Sequence, residues 1–426
     1  MKPFNKAFKA SIFVNMNFGW IIFIAVYLLV DIYSFQAVRT VTSAKWVHIL
    51  YFAVSLTVLG MFIYQITAMS GNRVMTPFRM YSFGTFVAVF MPKLFVLVVI
   101  MLGEDLVRIV VGLYSKFGSH EGEFYMPSRR KFISTLALGA AAIPFGALLY
   151  GMFKGRYNYK VLKYEMVFED LPEAFDGYTI TQISDIHSGS FSNAEKVQYA
   201  VDLVNQQKSD VILFTGDLVN DLASEMLPWK EVFGSLKAKD GVFSVLGNHD
   251  YGDYYNWPSK EEKVQNLKDL KNIQAEMGWD LLLNENRFLE RDGQRLALVG
   301  VENWGKGGFK RAGDLQKACD GLTPEDFKIL MSHDPSHWRA QVIPHKDHFH
   351  LTLSGHTHGM QFGFEIPGLI RWSPVKWRYD EWAGIYEEAG QYINVNRGFG
   401  YIGYPGRVGI WPEISVITLK KGPKTA

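Results

Sequence analysis

Residues 178–187 have the sequence YTITQISDIH, a short apolar run that stops at an aspartate and a histidine. Runs of this length and composition that are bounded by polar residues are typical of β-strands, so we predict a strand from Tyr178 to Ser184. Downstream, Val211 to Phe214 leads in the same way into GDLVND (216–221), and Asn193 to Gln206 between them has helical spacing. Alternation of strand, helix and strand predicts an α/β domain.

Three further predicted strands also end in polar clusters. Val242 to Leu246 precedes GNHD (247–250), Phe327 to Met331 precedes SHD (332–334), and Phe349 to Leu353 precedes GHTHG (355–359). A single cluster has an ordinary explanation, since Gly-Asn-His-Asp alone is a good turn. Ligands of open α/β sheets bind beyond the carboxyl ends of the strands, so five clusters in this order favour one shared site.

The residue types in these clusters indicate metal binding. Asp, Asn and neutral His offer oxygen and nitrogen donors that suit borderline divalent cations, and Cys319, the single cysteine, lies in none of the clusters. Alternation in Asp185-x-His187 and in His356-x-His358 puts both members of each pair on one side of an extended chain. One cysteine also excludes a scaffold held by intrachain disulfides.

The motif order D-x-H, G-D-x-x-x-D, G-N-H-D, H and G-H-x-H resembles the calcineurin-like metallophosphoesterases. The forms SHDP (332–335), SGHTHG (354–359) and NRG (396–398) resemble the bacterial membrane-associated branch. The resemblance covers roughly residues 160–420. It implies an α/β fold built as a four-layer α-β-β-α sandwich and a metal-dependent phosphoric ester hydrolase. It also implies two divalent metal ions as cofactors, with Mn, Fe, Zn and Mg all open.

The resemblance also implies a role for each matching residue. Asp185, His187 and His358 would bind the first metal, Asn248, His333 and His356 the second, and Asp217 would bridge both. His249 would protonate the leaving oxygen or stabilise the transition state, and Asp250 would orient His249. The implied reaction is attack of a metal-activated water on phosphorus. Met360 and Gln361 depart from the family pattern, which often has a further Gly there, and we expect this to alter loop flexibility and not ligation.

The first part of the chain is of a different kind. Residues 1–163 carry 17 Lys or Arg against 5 Asp or Glu, a net charge of +12, whereas the remaining 263 residues carry 27 against 37, a net charge of −10. The basic part contains apolar stretches of about the 20 residues that a membrane-spanning helix needs. We predict spans at about 10–30, 47–69, 83–111 and 132–153. The chain is thus predicted to be a multi-pass cell-membrane protein, with an all-α transmembrane domain over 1–155 and a metallophosphoesterase domain over 156–426.

Ionisable residues in or near these spans leave alternatives open. Asp31, Lys93, Glu104, Asp105 and Arg108 could form a polar seam or lipid-headgroup pocket, or could reach the interface individually. SRRKF (128–132) resembles a twin-arginine export signal at an internal position, and a basic anchor beside a helix is the alternative. Basic residues divide nine against seven between the two sides, so the orientation stays open. The Arg129-Arg130 pair slightly favours an extracytoplasmic catalytic domain.

The substrate class follows less directly from the sequence. A phosphate monoester, diester or pyrophosphate on a lipid or nucleotide-lipid is favoured by the membrane tether and by apolar loops such as Phe362 to Trp372. A soluble nucleotide or cyclic nucleotide is the alternative. Aromatic residues near the motifs could line a cleft, lie at the membrane surface or be core, namely Tyr251, Tyr254, Tyr255, Trp257, Trp372, Trp377 and Trp382. Two other classes are an inactive membrane signalling or scaffold protein and a transporter with an appended hydrolase.

The expected partners are the phosphate-ester substrate, either lipid-linked or soluble, and membrane lipids. We expect no nucleic acid, and the oligomeric state is open. Arg311, Arg397 and Arg407 are candidate phosphate or headgroup contacts. His345, His348 and His350 could bind a further metal, although a surface loop leading into a strand is the favoured interpretation. His337, four residues after His333, is expected to be solvated or to support the site.

Overall fold

The structure is a computed structural model that describes residues 18–67, 74–117, 127–366 and 369–423. The chain divides into two compact units. One comprises residues 1–71 and 81–150, and the other comprises residues 72–80 and 151–426.

Among the described residues, four helices are long and apolar enough to cross a membrane. They are α1 (Phe18–Val41), α2 (Lys45–Thr67), α3 (Pro77–Phe117) and α4 (Pro127–Phe153). Residues 10–17 of the first predicted span lie outside the described residues, and α1 continues eleven residues beyond its predicted end, to Val41. Helix α3 has 41 residues, which at 1.5 Å per residue is about 60 Å, or twice the hydrocarbon thickness.

Two ionisable residues inside the spans, Lys93 and Asp31, are paired with each other. Lys93 begins a π-helical turn, Lys93–Val98, directly after Pro92, and its Nζ lies 2.6 Å from Asp31 Oδ1. The Asp31 carboxylate also accepts hydrogen bonds from Ser55 Oγ at 2.6 Å and Tyr51 Oη at 3.0 Å. Of the two alternatives, a polar seam therefore agrees with the structure better than side chains that reach the interface individually.

The consecutive arginines that precede the last span are paired with acidic residues of α3. Arg129 Nη2 lies 3.0 Å from Glu104 Oε2, and Arg130 Nη1 lies 2.5 Å from Asp105 Oδ1. The hydroxyl of Tyr33 donates to the other Asp105 oxygen at 2.6 Å. These contacts join α1, α3 and α4, so the arginine pair has a structural role inside the first unit.

The second unit contains two six-stranded mixed sheets and a separate two-stranded hairpin. The first sheet has the order β1-β14-β2-β3-β4-β5, and the second has the order β12-β13-β9-β8-β7-β6. The strands are β1 (Lys160–Phe168), β2 (Thr179–Ile183), β3 (Val211–Phe214), β4 (Val242–Ser244), β5 (Trp279–Leu281), β6 (Glu285–Arg291), β7 (Gln294–Gly300), β8 (Lys328–Met331), β9 (Leu351–Ser354), β10 (Phe364–Ile366), β11 (Ile370–Trp372), β12 (Gly384–Glu388), β13 (Gln391–Val395) and β14 (Glu413–Lys421).

Three hydrophobic clusters show how the layers stack. A central cluster between the sheets joins residues such as Leu213 of β3 to Leu298 of β7. Helices α5 (Ala194–Asn205), α6 (Lys230–Gly234) and α7 (Lys260–Glu276) cover the outer face of the first sheet. The outer face of the second sheet packs against the short helix α8 (Leu315–Ala318) and the turn that carries Trp338. The predicted four-layer sandwich is therefore confirmed.

The parallel strands place the polar clusters at common edges of the two sheets. Strands β2, β3 and β4 run parallel in the first sheet, and β8 and β9 run parallel in the second. Strands β3, β8 and β9 have four residues each, and every one of these residues is buried. Such burial is expected of strands that are covered on both faces. Each of the five predicted strands thus exists, and each delivers its polar cluster at its carboxyl end.

Candidate functional site

The candidate site is built from loops whose backbone turns sharply after each strand. Asp185, His187, Asp217, His356 and His358 all have a positive φ, between 48° and 71°. Non-glycine residues seldom adopt this left-handed conformation, which costs on the order of 1 kcal/mol each. In these loops, the left-handed conformation occurs at the residues whose side chains lie close together in the site.

The structure brings together the three residues expected at the first metal. Potential ligand atoms of Asp185, His187 and His358 all lie within 4.8 Å of one another. Nε2 of His358 is 2.9 Å from Nε2 of His187 and 3.2 Å from Oδ1 of Asp185. All three side chains are buried.

A second group adjoins the first. Potential ligand atoms of Asp217, His333 and His356 lie within 4.8 Å of one another, and Asn248 Oδ1 lies 2.8 Å from His356 Nδ1. Asp217 Oδ2 is 3.1 Å from His333 Nε2 and 3.6 Å from His187 Nε2. This carboxylate is therefore the one shared by the two groups, as a bridging ligand would be.

The chemistry of the donors fits a bound cation. Nδ1 of His333 lies 2.7 Å from the carbonyl oxygen of Thr215, to which it can only donate a proton. In a neutral ring Nε2 then carries a lone pair, yet it faces the Asp217 carboxylate and has no hydrogen-bond partner. Two buried acceptors in contact need a positive charge between them, which either a proton on Nε2 or a bound metal ion supplies.

The pKa shifts of several site residues also agree with metal binding. Burial by itself would raise the pKa of Asp217, but the facing rings of His333 and His249 outweigh it and hold this pKa well below its ordinary value. His358 has the same effect on the pKa of Asp185. Burial lowers the pKa of His187 and of His356. Ionised carboxylates beside the neutral imidazoles of His187 and His356 are protonation states that divalent metals bind. At His333 the charge of Asp217 outweighs burial and raises the pKa to about 10, so a proton occupies this ring until a cation displaces it.

His249 lies beside these two groups, and only one of its two ring nitrogens is engaged with the backbone. Its Nδ1 lies 2.7 Å from the carbonyl oxygen of Asn220 and donates to it, which leaves Nε2 for other chemistry. Its ring centroid is 4.9 Å from that of His187. The backbone N–H of His249 donates to Asp217 Oδ1 at 2.8 Å, so its position is tied to the shared carboxylate.

Asp250 points at the backbone and not at the His249 ring. Its carboxylate accepts hydrogen bonds from the N–H groups of Gly247 at 2.8 Å, Asp217 at 2.9 Å, Leu218 at 2.7 Å and Val219 at 3.3 Å. Burial, followed by repulsion from Asp217, raises the pKa of Asp250 to about 7. In this geometry, Asp250 holds the loop that carries Asp217, and Asn220 orients His249.

Three further residues contact the site, although the sequence motifs did not identify them as site residues. Tyr379 Oη is 2.8 Å from His356 Nε2 and donates to Asp334 Oδ2 at 3.4 Å. Tyr254 Oη accepts a hydrogen bond from Asn248 Nδ2 at 2.9 Å, which turns the amide oxygen towards His356. Asp334 directly follows His333 in the sequence, so its position in the motif was a usable signal, whereas no spacing pointed to Tyr379.

Other residues singled out in the sequence are engaged elsewhere. Arg397 is buried and pairs with Glu413 and with both oxygens of Glu365. Arg407 is also buried, and its guanidinium donates to the carbonyl of Gly400 and lies 3.2 Å from His358 Nδ1. Both therefore support the framework of the domain.

Two of the other histidines, His337 and His350, are in structural positions. His337 has a partner on each ring nitrogen, Ser332 and Gln341. His350 accepts from the N–H of Lys328 and contacts Asp170 at 2.7 Å. His345 groups with Cys319 and Asp347, whose potential ligand atoms lie within 4.8 Å of one another.

Family models match both parts of the chain. Residues 16–156 match the model described as "Probable Calcineurin-like phosphoesterase, transmembrane domain", and residues 178–360 match "Calcineurin-like phosphoesterase".

Similar proteins occur in bacteria and animals. An uncharacterized metallophosphoesterase of Bacillus subtilis is 29% identical over 69% of this chain and 98% of its own length. A zebrafish (Danio rerio) "Transmembrane protein with metallophosphoesterase domain" is 29% identical over 64% of this chain and 60% of its own length. Among solved structures, the phosphopantetheinyl hydrolase of Mycobacterium tuberculosis is 12% identical, with 59% of this chain and 99% of that chain covered and a TM-score of 0.32. A TM-score this low carries no information on function.

Proposed function

Because the chain belongs to the calcineurin-like metallophosphoesterases and has a four-helix membrane domain, we propose that it hydrolyses a phosphate ester carried by a lipid. The proposal covers a phosphate monoester, a diester or a pyrophosphate. One observation carries the hydrolytic part, namely that seven oxygen and nitrogen donors from five strand ends form two adjoining groups around Asp217.

We assign the residues of these groups to two divalent cations. Asp185, His187 and His358 would hold one, Asn248, His333 and His356 the other, and Asp217 both. Cations at these positions would offset the charge of the carboxylates towards a phosphate, and they would acidify bound water. The donors alone do not select among Mn, Fe, Zn and Mg.

The chain itself supplies positioning and a proton-transfer group. Asp250 fixes the Asp217 loop through four backbone hydrogen bonds, and Tyr379 and Asp334 fix the ring of His356. The hydrogen bond to Asn220 leaves Nε2 of His249 as the nitrogen that exchanges a proton with the leaving oxygen. We therefore propose His249 as the catalytic residue and Asp250 as a positioning residue.

The membrane domain supports a lipid-borne substrate. Four helices that can span a bilayer hold the catalytic domain at a membrane, where lipid phosphates are locally concentrated. The net charge of −10 over residues 164–426 disfavours polyanions such as nucleic acid.

A soluble nucleotide or cyclic nucleotide is the second candidate. The ring of Tyr254 lies 4.5 Å from that of His249, which is a position where a base could stack. A cyclic nucleotide that competes with a vesicle-borne lipid phosphate for hydrolysis would favour this alternative.

Phosphatase assays on the full chain test the hydrolytic part. We expect the parent, supplied with Mn²⁺, to hydrolyse a generic phosphomonoester or phosphodiester, Asp217→Asn to lose this activity, and His348→Ala to keep it. His348 is exposed and serves as the matched control. Equal rates in the parent and Asp217→Asn would contradict the proposal and favour a scaffold protein.

A further inference from the structure

The exposed apolar residues of the second unit are concentrated in one place. Strands β10 and β11 form a two-stranded antiparallel hairpin, which we call the apolar hairpin. On and beside it, Phe364, Ile366, Leu369 and Ile370 are between 47% and 78% exposed. Elsewhere on the described parts of this unit, Phe78 and Phe153 are exposed on the membrane helices α3 and α4, and Tyr199, Leu227 and Val264 are exposed singly. Isolated apolar residues are ordinary on a protein surface, whereas a contiguous group marks an interaction site.

The apolar hairpin is attached to the loop that carries His358. Gly359 follows His358, and its carbonyl accepts hydrogen bonds from the backbone N–H of Phe362 at 3.3 Å and from Ser373 Oγ at 2.7 Å. Gly363 N–H also donates to the carbonyl of Val408 at 2.9 Å. Both ends of the hairpin are thereby fixed to the residue next to a proposed metal ligand.

The charges around the apolar hairpin suit an anionic lipid surface. Between residues 360 and 378 the acidic residue is Glu365, which is paired with Arg397. Arg371, Lys376 and Arg378 supply positive charge in the same segment. A basic and apolar segment is therefore present on a domain that is otherwise acidic.

The aromatic residues of this segment suit the same surface. The rings of Trp372 and Phe364 stack at 5.7 Å across the hairpin, and Trp377 is 77% exposed. Tryptophan beside basic residues and exposed aliphatic residues is the composition of segments that lie in the headgroup layer.

We propose that the apolar hairpin inserts into the headgroup layer of the bilayer that holds the protein and so brings lipid-borne phosphate to the loop of His358. The occupant of this surface is thus a lipid bilayer. Insertion stands on the exposure, charge and composition of the hairpin. Delivery of the phosphate rests on the proposed function, so the two parts need separate measurements.

Spin-label accessibility tests insertion without reference to activity. The native Cys319 is buried, and burial raises the pKa of its thiol to about 11, so a nitroxide reagent labels an introduced cysteine selectively. Ile366→Cys and the equally exposed control Tyr199→Cys are labelled in the full chain and reconstituted into vesicles containing anionic phospholipid. We expect the label at residue 366 to gain accessibility to oxygen and lose accessibility to a water-soluble nickel chelate, and the label at residue 199 to stay aqueous. Equal aqueous accessibility at both positions would overturn the proposal.

Substrate comparison tests delivery. For Ile366→Asp, we expect the ratio of the rate on a vesicle-borne lipid phosphate to the rate on a soluble phosphomonoester to fall by about tenfold or more, because an apolar anchor is lost. Val264→Asp, at a similarly exposed apolar position on α7, should leave the ratio unchanged. An unchanged ratio in Ile366→Asp would overturn delivery. If the parent hydrolysed neither the lipid phosphate nor the soluble phosphomonoester, the proposed function would be contradicted. Insertion would then be decided by the spin-label accessibility alone.

Discussion

Nε2 of His333 lies 3.1 Å from Oδ2 of Asp217, while Nδ1 of the same ring contacts the carbonyl oxygen of Thr215 at 2.7 Å. The backbone carbonyl thereby fixes which nitrogen carries the proton and points the other nitrogen at a carboxylate. This relationship joins a strand end of the first sheet to one of the second and places two potential metal ligands in contact.

Metal should stabilise the folded protein. Without a cation, the buried carboxylates and imidazoles repel one another or must take up protons, so chelation is expected to lower the melting temperature. Readdition of Mn²⁺ should restore it in a concentration-dependent way, because a ligand that binds the folded state alone stabilises it. Differential scanning fluorimetry of the purified chain, with Asp217→Asn as a variant that should respond less, measures this. A melting temperature that changes with neither the chelator nor Mn²⁺ would contradict metal binding at the proposed site.

His249 should affect the rate but not the metal content. His249→Gln removes the nitrogen that exchanges protons, so we expect kcat to fall by about 10²- to 10⁴-fold. His249 is not among the proposed ligands, and bound metal should therefore remain at the parental level. Steady-state kinetics combined with elemental analysis checks both parts, and loss of metal together with activity would reassign His249 as a ligand.

Asp250 should act on the Asp217 loop. Asp250→Ala leaves the backbone N–H groups of Gly247, Asp217 and Leu218 without their acceptor. Each unsatisfied buried group costs about 1–3 kcal/mol, so we expect lower stability and weaker metal binding. Metal titration followed by calorimetry measures the affinity. If Asp250→Ala bound metal as tightly as the parent and only lost activity, Asp250 would instead act directly on the reaction.

Asp221 should make stability depend on pH. Burial, followed by repulsion from Glu225, raises the pKa of Asp221 to about 7 in the folded protein, whereas the unfolded value is about 3.9. The folded state therefore binds more protons between these values, and stability is lost as pH rises through this window. Asp221→Asn should raise the melting temperature by more at pH 8 than at pH 5. The same increase at both pH values would show that Asp221 does not titrate in this range.

The ion pair of the first unit should show strong coupling. Lys93→Met leaves the Asp31 carboxylate without its cation in an apolar surrounding, and breaking a buried pair costs about 3–5 kcal/mol. Asp31→Asn together with Lys93→Met removes both charges and should recover most of the stability. Thermal unfolding in detergent of both single variants and the double variant gives the coupling. Additive effects would mean that the two residues do not interact.

The parts of the fold that were predictable are those set by local pattern. The strand before Asp185 and the helix between Asn193 and Gln206 follow from a short apolar run and from helical spacing, and the structure has both. The spans were located but their ends were not. The third span was predicted at about 83–111, whereas α3 extends beyond it at both ends, from Pro77 to Phe117. Glu104 and Asp105 lie within α3 and are paired with arginines of α4.

The contacts of the site depend on long-range geometry that no spacing encodes. Asp250 is next to His249 in sequence, yet its carboxylate turns to the amides after β3, because the loop carrying Asp217 adopts a left-handed turn. Tyr379 reaches His356 across 23 positions of chain. Met360 also has a positive φ, of 49°, at the position where the family pattern often has glycine.

The most direct measurement is the amount of metal bound per chain. After reconstitution with Mn²⁺ and removal of loose ions, elemental analysis of the purified chain should find about two ions per chain, as a paired site requires, and fewer in Asp217→Asn. Parent and variant that retain equal amounts of metal, or a parent that retains none, would contradict the account.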